Sequence, residues 1–326
     1  MSFLNWLHFF KTFPLGTWVL ILGVIFPVLP ISSSRAETSF PALPSEYGEV
    51  IYHYNEKGAN QLFIIAMSHR DTISRSNGPN TAKVQAEVYK IGEWLIQKRG
   101  LQLILPEGFF KKKGPTAEGK VRAPDRDKSR SEPMDIKIVE EKLSDPTRFI
   151  NAEMLLMKDY HLLARQVENQ KWYDAVGSSI RQLARSMNSS DRYSLKLKLD
   201  YQQERRTAAM LQTIPEIVNL EYQQGGIKGK EALFTIGLSH LAQIIKCLQD
   251  GEIRVCPAFS GSDENEDFVA GLNLLRENFG VSIILPRALA TDPKILEINK
   301  LDKVIKRTTQ QNPAPQGGDF PLNSIQ

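Results

Sequence analysis

Hydrophobic residues follow two alternating patterns along the chain. Six short apolar runs have the length of β-strands, and several are unbroken enough to be buried on both faces of a sheet. Between the second and third runs, Thr81–Lys98 has apolar residues every three or four positions, as on one face of a helix, and Gly100 follows as a stop. The six predicted strands are Val50–Tyr54, Leu62–Met67, Leu101–Leu105, Leu233–Ile236, Ile253–Cys256 and Val281–Leu285.

The middle of the chain is predicted to be mainly helical. Helical patterns fill Arg148–Met187 and Ser194–Gln223, and another begins just after His240. Because strands alternate with helices, we expect parallel pairing with right-handed crossovers. The predicted fold class is therefore α/β, a mainly parallel central sheet with helices on both faces and a helical cap or insertion in the middle of the chain.

The N-terminal segment has the features of an export signal. Leu15–Leu29 is almost wholly apolar but shorter than the roughly 20 residues of a comfortable bilayer span. Ser34-Arg35-Ala36 then provides the small-x-small pattern that signal peptidase accepts. Residues 1–36 are predicted to be a signal peptide, with an uncleaved anchor as the alternative, and both predict a periplasmic or secreted protein. The cleaved form would have no stable membrane span.

The remaining chain is predicted to contain one domain. Residues 37–47 form a linker, 48–306 the α/β domain, and 307–326 a tail rich in Gln, Asn, Pro and Gly that cannot bury enough apolar surface to become ordered. The densest run of basic residues lies in 111–133, where acidic residues, Gly and Pro are interspersed. This composition predicts a flexible, solvated loop, with a docking patch for an anionic surface as the alternative.

The overall charge argues against a nucleic-acid partner. Removing residues 1–36 takes Lys11 and Arg35 from the 41 basic residues and leaves 39 against 37 acidic ones. Phosphate binding requires basic residues concentrated on one surface. The nearly balanced charge of the mature protein therefore gives no evidence for nucleic acid, and the predicted partner is a small-molecule or peptide substrate.

Two cysteines lie close together in the sequence. Cys247 and Cys256 flank the turn signal Asp250-Gly251. In an oxidising compartment they predict a disulfide between a helix and a strand, with two buried thiols as the alternative. Their spacing fits no zinc-site pattern.

Polar side chains follow three of the predicted strands at the point where each strand ends. His69 comes after the second apolar run, Glu107 after the third and His240 after the fourth. The carboxyl ends of parallel strands lie along one edge of a sheet, where open α/β folds bind ligands. Core packing does not explain titratable groups at three equivalent strand ends, so we expect the three residues to form one site.

Other polar residues have weaker assignments. Arg205 or Arg206, on a predicted helix, can direct guanidinium donors toward a carboxylate, phosphate or oxyanion, with a solvated helix face as the alternative. Asp71 can orient a nearby imidazole or bind metal, or cap the following turn. His53, inside a strand, and His161, inside a helix, are predicted to be surface or packing residues.

Standard catalytic signatures are missing from the sequence. There is no H-E-x-x-H, P-loop or G-x-G-x-x-G motif. The segment Gly237–Leu241 resembles a nucleophile elbow, but Leu241 occupies the position where that motif requires Gly. Water is therefore a better candidate nucleophile than Ser239.

Four segments between about residue 60 and residue 250 form a recognisable series, with the basic segment inserted between them. They are Ile64–His69 with the Gln85–Leu95 helix, Leu103–Gly108, Glu204–Arg206 leading to Met210 and Ile214, and Leu233–Leu241. In their order and approximate spacing they resemble the superfamily that joins TraB/PrgY and Tiki-type proteins with erythromycin-esterase and ChaN-like proteins. The first G-x-x-H motif of that family appears here with Ala66 in place of Gly.

The resemblance implies a hydrolase-like site of two histidines and a glutamate. Tiki-type members hold a divalent metal with these groups for peptide hydrolysis, erythromycin esterases use them without metal to activate water, and ChaN-like members bind haem. Carried over to this chain, His69, Glu107 and His240 would ligate Mn, Co or Zn, or position a water molecule directly. Either Arg205 or Arg206 would stabilise the oxyanion.

The preferred hypothesis is thus an exported hydrolase that cleaves a peptide or ester bond, with a divalent metal as its preferred cofactor. A protein that uses the same residues to bind haem or a small anionic ligand is the first alternative. A catalytically inactive interaction protein is the second.

Overall fold

The structure is a computed structural model that describes residues 42–68, 79–110, 132–145, 147, 150–256 and 268–303. Several sequence predictions concern residues outside these ranges. They are the signal peptide (1–36), His69, Asp71, most of the basic loop (111–131) and the tail (307–326).

A central sheet of six strands carries the fold within the described residues. The strands are β1 (Gly48–Tyr54), β2 (Asn60–Met67), β3 (Leu103–Pro106), β4 (Leu163–Ala164), β5 (Glu231–Gly237) and β8 (Phe279–Pro286), in the order β1-β8-β2-β5-β3-β4. All neighbours pair in parallel except β1, which is antiparallel to β8 at the edge. The predicted α/β class with a mainly parallel sheet is confirmed.

Helices cover both faces of this sheet. On one face, alternate residues of the strands join the main apolar core with α5 (Ser189–Gln223) and α6 (Leu241–Asp250). On the other face lie α1 (Pro79–Arg99), α2 (Ile136–Ser144) and α3 (Ala152–Tyr160), which pack together. Because both faces are covered, the central strands are continuous apolar runs, and β8 is buried along its whole length.

The prediction of continuous helix over Arg148–Met187 is wrong. Helix α3 ends at Tyr160, where His161 adopts a left-handed backbone with φ 50°, so His161 caps a helix and does not lie inside one. The chain then adds β4 to the edge of the sheet before α4 (Gln170–Arg185) begins at its cap Asn169. Strand β4 forms because the N–H groups of Leu163 and Arg165 donate to the carbonyl oxygens of Gln102 and Ile104, a long-range pairing that local periodicity does not reveal.

The predicted strand Ile253–Cys256 forms, but it does not join the central sheet. It corresponds to β6 (Glu252–Val255), which pairs antiparallel with β7 (Phe268–Gly271) in a separate two-stranded sheet. Three short helices complete the described chain: α7 (Asn273–Arg276), α8 (Arg287–Ala290) and α9 (Pro293–Ile298). No helix in the described ranges combines the length and apolar character needed to cross a bilayer.

The predicted disulfide is absent, and Cys247 and Cys256 are both free thiols. Cys247 lies on the buried side of α6 and packs in the main core, whereas Cys256 follows β6 and is exposed. Burial raises the pKa of the Cys247 thiol to about 11, so it would react slowly at neutral pH. The two side chains therefore point into different environments.

Candidate functional site

Glu107 and His240 meet at the carboxyl edge of the central sheet. Glu107 follows β3 and His240 follows the neighbouring strand β5, within a single 3₁₀ turn formed by Leu238–His240. Oε1 of Glu107 lies 3.5 Å from Nε2 of His240. The backbone N–H of Gly237 donates to Oε2 of the same carboxylate over 2.5 Å. The structure thus brings together two of the three residues that the sequence predicts for the site.

His240 is held in one orientation by helix α5. Its Nδ1 lies 2.6 Å from Oγ1 of Thr207. The Thr207 hydroxyl donates its single proton to the carbonyl oxygen of Gln203, one helical turn earlier, over 2.9 Å. Oγ1 can therefore only accept a hydrogen bond from the Nδ1–H of the imidazole. In the neutral side chain this fixes the tautomer with its lone pair on Nε2, facing Glu107.

Arg206 joins Glu107 to a second buried carboxylate. Its Nη2 donates to Oε1 of Glu107 over 2.5 Å, and its Nε donates to Oε1 of Glu168. The other oxygen of Glu168 accepts the backbone N–H of Gly108 at 2.7 Å. Arg206, Glu168 and the side chain of Glu107 are all less than 8% exposed. One guanidinium between two carboxylates gives this trio a formal charge of −1.

Arg205 has a different environment from its neighbour Arg206. Its guanidinium carbon lies 4.4 Å from the centre of the Phe268 ring and 5.4 Å from that of Trp172. The adjacent Tyr173 contacts Arg206 in the same way, at 5.2 Å. The sequence does not distinguish the two arginines. In the structure, Arg206 pairs with carboxylates and Arg205 contacts aromatic rings.

A set of buried hydrogen bonds fixes the end of β2 beside this site. Met67, the last residue of β2, pairs with Gly237 of β5. The Gln85 amide donates to the carbonyl of Ser68 at 3.0 Å and accepts the N–H of Ala152 at 2.8 Å. The strand that precedes His69 therefore ends at the same edge, although His69 itself lies outside the described residues.

A second polar pair lies under the same edge. The Thr235 hydroxyl of β5 donates to Oε1 of Glu153, near the start of α3, over 2.9 Å. Glu153 is only 2% exposed. This contact joins the strand that leads to His240 with the helix beside the end of β2, so the site rests on elements from both faces of the sheet.

The described residues fit part of a metal site. Within these ranges no group of three or more His, Cys, Asp or Glu side chains is arranged to hold an ion. His240 Nε2 and Glu107 Oε1 are 3.5 Å apart, close to the roughly 3.4 Å expected for two ligands of a tetrahedral cation with bonds of about 2.1 Å. His240 and Glu107 would hold such a cation, and His69, which lies outside the described residues, is the further ligand that the sequence predicts.

The same contacts do not favour haem. The groups bound to the imidazole of His240 and to its neighbouring carboxylate are a hydroxyl, a guanidinium and a backbone amide. Haem sites usually enclose the porphyrin in apolar side chains, and the axial histidine hydrogen-bonds through its second nitrogen. Thr207 provides such a second-nitrogen contact, but it serves a metal or a general base equally well.

Sequence reasoning missed Glu168 and Thr207. Glu168 is an acidic residue directly after the apolar Val167, between two helices, and a lone acid in that position gave no sign of burial. Thr207 follows Arg206 on α5, and its position beside the predicted arginines was the only available signal. Both residues act through neighbours that are distant in the chain.

The family resemblance rests on short motifs. Glu107 and His240, which carry two of them, lie at one site, and Ala66, which replaces the usual Gly, is fully buried in β2 opposite Ile236. The added methyl group is thus accommodated inside the core. Comparisons of the chain with protein-family models, with curated proteins and with solved structures found no match.

Proposed function

We propose that the protein is a hydrolase in which His240 and Glu107 activate a water molecule for attack on an ester or peptide bond. The observation that carries the proposal is the 3.5 Å separation of His240 Nε2 and Glu107 Oε1 at the carboxyl edge of the sheet. Both atoms are hydrogen-bond acceptors when the imidazole is neutral. A water molecule that donates to either atom, or a cation bound by both, would stabilise this arrangement.

In this mechanism His240 acts as the general base. Its Nε2 takes a proton from the water as the oxygen attacks the carbonyl carbon, and later passes that proton to the leaving oxygen or nitrogen. Thr207 holds the ring through Nδ1–H, and the Glu107 carboxylate stabilises the imidazolium that forms. Arg206, in contact with Glu107 and Glu168, would stabilise the developing oxyanion through the donors that these carboxylates leave unused.

A divalent cation is compatible with the same residues. Mn, Co or Zn would be held by His240 and Glu107, with His69 as the predicted third ligand. When bound, it would lower the pKa of water toward about 7 and polarise the carbonyl. Export to the periplasm or the cell exterior remains part of the proposal, supported by the composition of residues 1–36.

Turnover of a substrate panel tests this proposal. The purified protein would be assayed with fluorogenic esters and peptide amides, first after chelation and then with added Mn, Co or Zn. We expect hydrolysis of at least one class. Activity that requires about one equivalent of metal would support the cation version, and activity that survives chelation would support direct action of His240. A folded protein that hydrolyses neither class in any metal state would contradict the proposal.

The Thr207 contact gives a second prediction. Thr207→Val keeps the shape of the side chain but removes the acceptor for Nδ1–H, so His240 loses its fixed orientation. We expect kcat to fall about 10- to 100-fold, as for other residues that orient a catalytic or metal-binding histidine, with KM little changed. Thr207→Ser retains the hydroxyl and should restore most of kcat. Equal losses in both variants would show that Thr207 contributes packing and not the position of His240.

A further inference from the structure

Arg205 is a cation held by aromatic rings beside the proposed reaction centre. Among the described residues its guanidinium contacts Phe268 and Trp172 but makes no ion pair or side-chain hydrogen bond. Contacts with ring faces restrain a guanidinium while its N–H donors, which lie in the plane of the group, stay available. Arg205 is half-buried, so these donors are positioned at low entropic cost and can still be reached by a ligand.

The rings that contact Arg205 continue toward Glu107. Trp172 and Tyr173 are consecutive residues at the start of α4, and they contact Arg205 and Arg206 respectively. Tyr173 also packs edge-on against Phe110, three residues after Glu107, with ring centres 4.9 Å apart. These contacts define two groups of rings on neighbouring arginines, Phe110 with Tyr173 at Arg206 and Trp172 with Phe268 at Arg205, and the four rings together are called the aromatic wall. Tyr173 is 40% exposed, so the wall is open to a ligand.

We propose that Arg205 binds a carboxylate of the substrate, so that the enzyme prefers substrates with a free carboxylate and an apolar group next to the bond that is cleaved. The inference rests on the proposed hydrolase function. A guanidinium binds a carboxylate through two parallel hydrogen bonds, and the aromatic wall would contact the apolar group.

The local charge favours a carboxylate over a phosphate dianion. The trio of Arg206, Glu107 and Glu168 has a formal charge of −1, and Arg205 adds one positive charge. With Arg205 the local formal charge is zero before a ligand binds, so a monoanion leaves one uncompensated negative charge and a dianion leaves two. The buried carboxylates therefore repel a monoanion less than a dianion.

Matched substrates test the assignment. The substrate found by the hydrolysis panel would be made in two forms that differ only in a free carboxylate or a carboxamide. We expect Arg205→Gln to raise KM for the carboxylate form about 10- to 100-fold, with less than a twofold effect on the carboxamide form. Arg181→Gln, an exposed arginine on α4, is the matched control and should leave both values unchanged.

Equal effects of Arg205→Gln on both substrate forms, or no effect on either, would overturn the role of Arg205 and leave the hydrolase proposal standing. Retention of the carboxylate preference in Arg205→Gln would do the same. Partial recovery of KM in Arg205→Lys is expected, because lysine keeps the charge but not the paired donors.

A binding measurement decides the same question without turnover. Trp172 lies against Arg205, so benzoate binding should change tryptophan fluorescence, and Trp172→Phe should remove that change. We expect benzoate affinity to fall at least about tenfold in Arg205→Gln and to remain in Arg181→Gln. Phosphate should bind more weakly than benzoate. Absence of benzoate binding, equal binding by Arg205→Gln, or tighter binding of phosphate would overturn the carboxylate assignment, whatever the hydrolysis panel shows.

Discussion

Replacing Glu107 with glutamine is expected to lower kcat/KM about 100- to 10,000-fold, because the general base His240 loses the carboxylate that stabilises its imidazolium form. Both carboxylate oxygens of Glu107 accept from N–H donors, Oε1 from Arg206 and Oε2 from Gly237. The glutamine amide has one oxygen acceptor and one NH₂ donor. Its NH₂ group would therefore face the N–H donor of either Arg206 or Gly237, and that hydrogen bond would be lost. The variant also lacks the negative charge that stabilises the His240 imidazolium or ligates a cation.

Glu231→Gln provides the matched control for this variant. Glu231 begins β5, at the opposite end of the strand that leads to His240, and pairs with Arg99 at 3.0 Å. Loss of the Glu231 carboxylate should leave kcat/KM within about twofold of the wild type. Because Glu107→Gln weakens buried contacts, we expect it to lose about 1–3 kcal/mol of stability. Both variants should therefore be assayed at a temperature where circular dichroism shows them folded. Similar kcat/KM values for the two would remove Glu107 from the mechanism.

The central strands were predictable because strands buried on both faces appear in the sequence as continuous apolar runs. Strands β2, β5 and β8 are covered by helices on both faces, so each is a continuous apolar run. Helix α1 was equally clear from its apolar spacing and the Gly100 stop. The alternation of strands and helices predicts parallel pairing, which in turn predicts that Glu107 and His240 lie at one edge of the sheet.

The elements that sequence patterns missed depend on distant partners. Strand β4 is two residues long and exists because Leu163 and Arg165 donate to backbone carbonyls of residues 102 and 104. β6 has a strand pattern, but only its pairing with β7 shows that it lies outside the central sheet. Long-range hydrogen bonds of this kind leave no local period in the sequence.

Arg205 and Arg206 differ because adjacent side chains on a helix point in different directions. Successive helical side chains point about 100° apart, so Arg206 reaches the buried Glu107 and Glu168 while Arg205 reaches the rings of Trp172 and Phe268. In the sequence the pair is symmetrical. The burial of Glu168, which the sequence did not reveal, decides which arginine neutralises the site and which remains available to a ligand.

Arg206→Met is expected to lower the free energy of unfolding by about 3–5 kcal/mol, the usual cost of removing one partner from a buried ion pair. Methionine fills a similar volume but leaves the carboxylates of Glu107 and Glu168 buried without their cation. Urea denaturation at 25 °C would measure the loss. The exposed pair Lys246–Asp250 is the control, since Lys246→Met should change stability by less than about 0.5 kcal/mol.

A second substitution separates the charge of Arg206 from its packing. If the cost arises from an uncompensated buried carboxylate, adding Glu168→Gln to Arg206→Met should recover at least about 1 kcal/mol, because the neutral side chain is cheaper to bury. If instead the losses of the two single variants add up in the double variant, so that it is less stable than either, Arg206 stabilises the site by filling space. Arg206→Met within about 1 kcal/mol of the wild type would mean that solvent screens both carboxylates, so that neither depends on Arg206 for its burial.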